Sequence, residues 1–157
     1  MSYEAETKNP EKNLTPEIRK NELALLIERT EAIVRIIERE ETEHHMEIVG
    51  NDPIFKEQLI FIKDALRELN KKLKEENIQE KIQSNVNLTH EIGNFEVYLN
   101  SFSRLRKLQE AGKDIDALML VLRRKTDEFY NYLVDITRNI DLFENEIQNT
   151  EHYSKVA

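Results

Sequence analysis

Residues 115–147 read IDALMLVLRRKTDEFYNYLVDITRNIDLFENEI, and the spacing of their apolar members decides the fold. Ile115, Leu118, Leu122, Phe129, Leu133, Ile136, Ile140, Phe143 and Ile147 follow one another in steps of three or four once Thr126 is counted among them. Such steps hold one stripe to one side of a helix. An average near 3.5 residues per repeat keeps that stripe facing a partner helix over many turns. Charged residues fill the positions between, so a helix this long cannot hide its stripe alone. The chain reads as a helix-packing, all-α protein.

The rest of the composition agrees. The 157 residues are 34% charged and 39% hydrophobic, with no Trp, three Gly and three Pro, a bias toward long helices and coiled coils. Periodic rather than scattered apolar residues argue for a packed core. The length suits one domain over residues 15–157 behind a polar leader at 1–14. The formal net charge of −8 disfavours nucleic acid and anionic lipid as general partners. The absence of cysteine excludes a disulfide framework and thiolate chemistry. No apolar run approaches the roughly 18–20 residues of a membrane span, and the polar start has no signal-peptide core. A cytoplasmic protein without a membrane partner is the expectation.

Outward from the quoted stretch, the chain divides at its caps. Thr15-Pro16-Glu17 opens a first helix that the pattern carries to about Val49, with Gly50 as its stop. Asp52-Pro53 opens a second, whose stripe is Phe55, Leu59, Ile62, Leu66, Leu69 and Leu73. Asn77-Ile78-Gln79-Glu80 has the form of a capping box, and Ser, Asn and Thr at 84–89 are alternative caps, so a break falls there or the second and third helices kink and merge. The third helix carries Ile92, Phe95, Leu99, Phe102, Leu105 and Leu108 and stops at Gly112. Asp114 or Asp116 caps the fourth. Short connections at 50–52 and 112–114 imply two helical hairpins, forming an elongated antiparallel up-down four-helix bundle. Asn13–Ile18 matches Asn87–Ile92 at five of six positions, a hint of a duplicated hairpin.

Three constellations bear on chemistry. Glu41 and His44 stand three apart, the spacing of a Glu-x-x-His metal motif, but His90 and His152 have no acid three residues before them. No metal and no cofactor are expected, and Glu41 and His44 are only weak candidates. Leu88-Thr89-His90-Glu91-Ile92 resembles the H-box of sensor histidine kinases, in which a Ser/Thr-His-Glu-Ile/Leu core on the first helix of a hairpin carries the phosphoryl acceptor. The resemblance implies His90 as nucleophile and Glu91 as its acid–base neighbour. The basic residue and proline of that box are replaced by Gly93 and Phe95, and no ATP-binding domain follows, so it implies at most a phosphotransfer relay. Third, residues 103–125 hold seven basic against three acidic side chains, leaving −12 elsewhere. Arg104, Arg106, Lys107, Arg123, Arg124 and Lys125 form a basic end that suits an anion or nucleic acid. Glu40, Glu41, Glu43 and Glu47 fall at the same end and compete for them.

P-loop, dinucleotide and nucleophile-elbow fingerprints need more glycine than this chain has. The sequence therefore points to a non-enzymatic interaction protein: an adaptor, chaperone or scaffold subunit. Its apolar helix faces would bind a partner helix or a second copy, a homodimer first. Leu118, Leu122, Phe129, Leu133, Ile136 and Ile140 are the residues expected in the core or the interface. The phosphotransfer hairpin and the anion-binding end are the alternatives.

Overall fold

A computed structural model describes residues 16–75 and 86–156, and every element among them is helical. They are α1 (Pro16–Thr42), a single 3-10 turn (Glu47–Val49), α2 (Pro53–Leu73), α3 (Val86–Leu99), α4 (Phe102–Glu110) and α5 (Asp116–Val156). The leader at 1–14, the Thr15 cap and the capping box at 77–80 lie outside the described residues.

The stripes read from the sequence meet in one core. Phe55, Leu59, Ile62, Leu66 and Leu73 of α2 are wholly buried, as are Ile33 and Ile37 of α1 and Ile92 and Leu99 of α3. From α5 come Leu122, Phe129, Leu133, Ile136 and Ile140, the last two at 8% and 7% exposed. Thr126 is fully buried because its hydroxyl donates to the Leu122 carbonyl at 2.8 Å, so no polar group is stranded. At the start of α5 the stripe departs from the expectation. Leu118 is 50% exposed and Met119 is buried in its place. Counted back from Thr126, a strict alternation of threes and fours passes through Leu122, Met119 and Ile115, and Leu118 falls outside it.

The first helix ends at Thr42, not near Val49. His45 and Met46 adopt positive φ, 51° and 55°, and the Met46 N–H donates back to the Glu40 carbonyl. Each left-handed residue costs about 1–2 kcal/mol. Against that, the turn buries Met46, Ile48 and Val49 to 5% or less, at about 1.5–3 kcal/mol per side chain. Burial wins, and α4 packs on the 3-10 turn. The third expected helix is likewise interrupted. The Ser101 N–H takes the Tyr98 carbonyl three residues back, at 3.1 Å, so the core positions advance from Leu99 to Phe102 to Leu105 in steps of three.

Helices pack in the pairs α1–α2, α2–α5, α5–α3 and α3–α1. Within each hairpin the chains run antiparallel: Lys63 meets Glu41 while Lys74 lies nearest Glu31, and Phe95 stacks on Phe129 while Tyr98 lies under Lys125. Between hairpins they run parallel, Asp52 meeting Arg123 and Lys72 meeting Asp141, with Arg29 against Gly93 and Glu40 against Arg106. The two hairpins are therefore stacked side by side, first helix on first helix and second on second.

Candidate interaction surface

The turn into α5 is built from its own sequence. Gly112, at φ 77°, closes α4: its N–H donates to the Gln109 carbonyl and the Lys113 N–H to that of Leu108, both orphan acceptors of a helix end. Asp114 then accepts the Asp116 N–H at 2.9 Å, and buried Ile115 anchors the first turn. The carboxylates of Asp114 and Asp116 stand at the positive end of the α5 dipole.

Beyond that turn the helix reads Ala117-Leu118-Met119-Leu120-Val121-Leu122, apolar on every side. A helix packed on one face can bury only part of such a run. Met119 and Leu122 face the core, and Leu118, Leu120 and Val121 are left 50%, 63% and 36% exposed. Ile54, 67% exposed, belongs to the same end. Asp52 places it there: one carboxylate oxygen caps α2 through the Phe55 N–H at 3.1 Å, and the other meets Arg123 of α5 at 2.8 Å. The remaining exposed large apolar residues, Leu25, Ile60, Val97 and Leu142, lie scattered over α1, α2, α3 and the far part of α5. Four of the eight among the described residues thus gather at one end, which single-residue exposure does not produce. Leu120, Val121 and Ile54 were not singled out from the sequence. The signal was the unbroken apolar run at 117–122, which a periodicity count reads as one stripe with noise.

Three of the six basic residues expected at this end are engaged by acidic partners. Arg106 makes a two-pronged ion pair with Glu40, whose side chain is 4% exposed. Arg123 is held by Asp52, and Lys125 lies 3.5 Å from Glu128 with its ammonium 5.3 Å from the centre of the Tyr98 ring. Arg104, Lys107 and Arg124 remain without an ion pair among the described residues.

Glu41 and His44 part company. Glu41 is in α1 and pairs with Lys63, whereas His44 lies in the turn beyond the helix end, so the shared helix face that the spacing implied does not exist. Among the described residues no group of three His, Cys, Asp or Glu side chains could hold a metal ion. His90 is exposed on α3, and Glu91 is half-buried toward Tyr132 of α5. Burial, with Glu91 adding to it, pushes the Tyr132 phenol up to about 12. Its hydroxyl is buried without a hydrogen-bond partner among the described residues. One turn after His90, the Arg29 guanidinium of α1 lies over Gly93, 2.8 Å from where a Cβ would stand, so a larger residue there would displace the end of that side chain.

A groove of about 640 Å³ between α1 and α2 is lined by Thr30, Val34, Arg35, Glu38, Arg67 and Lys71 among others. Its charges answer one another: Arg67 pairs with Glu38, Lys71 lies 3.4 Å from Glu68, and Lys74 lies 3.9 Å from Glu31. At its floor Asn70 donates to the Thr30 hydroxyl at 3.0 Å. Between α2 and α5, burial alone would lower the Lys72 pKa, but hydrogen bonds and attraction from Glu144 and Asp141 outweigh it and raise it. Compared with protein-family models, with curated proteins and with solved structures, the chain matches none.

Proposed function

We propose that this chain is a non-enzymatic helical interaction protein, an adaptor, chaperone or scaffold subunit, built as an elongated pair of stacked hairpins that presents an apolar surface at the start of α5. One observation carries the reading. Between Ile115 and Ile140 the buried side chains of α5 are taken up by the chain's own core, yet Leu118, Leu120, Val121 and Ile54 stay exposed at one end. Covering a Leu or Ile side chain is worth about 1.5–3 kcal/mol, so the cluster favours association with whatever covers it. An apolar helix face of this kind is met by another helix laid along it. No helix of the described residues is long and apolar enough to cross a membrane.

The test places a photoreactive amino acid at position 120 and, as a control, at position 97, and irradiates the full chain in a cell extract. A discrete adduct is expected from position 120, absent at position 97 and lost when Val121→Asp is added. Equal adduct patterns from the two positions, or indifference to Val121→Asp in a variant of unchanged helical signal, would overturn the reading.

A further inference from the structure

The exposed start of α5 is its own charge complement. Ala117, Leu120, Val121 and Arg124 recur at the spacing of one helix face, the side turned away from buried Met119, Leu122 and Thr126. Asp116 precedes the apolar pair Leu120-Val121 on this surface, and Arg124 and Glu128 follow it. Charge therefore runs minus, apolar, plus, minus along the helix.

We infer that the cover is a second copy of this chain, its α5 start laid antiparallel on the first about a two-fold axis between Leu120 and Val121. In that register Leu120 of one copy meets Val121 of the other, and Arg124 lies over Ala117 within reach of the second copy's Asp116. A two-fold axis makes every such contact twice. The parallel register sets Arg124 against Arg124 and Asp116 against Asp116, and like charges exclude it. The pairing leaves each core untouched, because the paired face is the one the core does not use. Few residues are covered, so the dimer is reversible and concentration-dependent rather than obligate.

This inference rests on the interaction reading above, names its partner, and fails separately from it. The measurement is sedimentation equilibrium of the full chain from micromolar to millimolar concentration. The unaltered chain dimerises reversibly. Asp116→Arg and Arg124→Asp each place two like-charged pairs across the axis and weaken the dimer tenfold or more. An equimolar mixture of the two variants restores both pairs and dimerises again. Leu142→Asp, on an exposed part of α5 away from the face, changes nothing. Because the chain has no cysteine, Leu120→Cys gives a clean second readout: it oxidises to a disulfide dimer, and Val97→Cys does not. A chain that stays monomeric to millimolar concentration overturns the second copy. A mixture that fails to recover overturns the antiparallel register. If the chain is monomeric while position 120 still gives its adduct with another protein, such as an acidic helix, this inference falls and the interaction reading stands. If position 120 gives no distinct adduct either, both fall.

Discussion

Glu40 is a carboxylate almost wholly removed from water, and Arg106 is what makes that tolerable. Removing one partner of a buried pair costs far more than replacing both, because the survivor's charge stays desolvated. Arg106→Ala is expected to destabilise the fold by about 3–5 kcal/mol in denaturant titration, and Arg106→Met combined with Glu40→Leu by much less. Equal losses would mean the pair is not desolvated as described. That Glu40 would compete for the basic end was legible from the sequence. Which cation it takes was not, since the partner is 66 residues away and no spacing rule reaches so far. Tyr132 gives a pH prediction of definite sign. Its phenol ionises near 10 unfolded and about 12 folded, so the fold favours the neutral form. Stability is full below pH 10 and falls as pH rises from about 10 through 12. Tyr132→Phe is expected to remove that decline at little cost near neutrality, since the hydroxyl has no partner to lose. A variant with the same alkaline loss would assign it to another group.

At the scale of the element, the regular helices were legible and their interruptions were not. The stripes of α2 and α5 alternate over many turns, and Gly112 carried its stop signal openly. The stretch Glu40–Val49 contains no breaker, and local propensity extends α1 through it. Only the bundle end, which takes in Met46, Ile48 and Val49, makes a turn cheaper than a helix. Propensity differences of a few tenths of a kcal/mol per residue are overridden there by side-chain burial. The turn nevertheless carries strain at an exposed position, His45. Glycine adopts positive φ freely but loses more freedom on folding, so His45→Gly is expected to raise stability by up to about 1 kcal/mol and His45→Val to lower it. Thermal unfolding of the two variants decides the matter, and a Gly variant less stable than the Val variant would contradict the turn.

For the whole molecule, the all-helical class and the hairpin pairing could be read from caps and connection lengths, and the stacking of the hairpins could not. Any ring order buries the same stripes. The contacts that join first helix to first helix are long-range: Arg29 over Gly93 and Arg106 on Glu40. The apolar end was visible in the run at 117–122, yet its exposure depends on where the neighbouring helices stop, which no local pattern encodes.

The parallel pairing of α2 with α5 also has a consequence for biosynthesis. Asp52 leaves the ribosome roughly seventy residues before Arg123, and Lys72 as far ahead of Asp141. At about 5–20 residues per second, the apolar flank of α2 waits roughly 4–14 s for the helix that covers it. During that interval the nascent first hairpin shows Phe61, Ala65 and Leu69, the α2 residues that α5 later meets, to its surroundings.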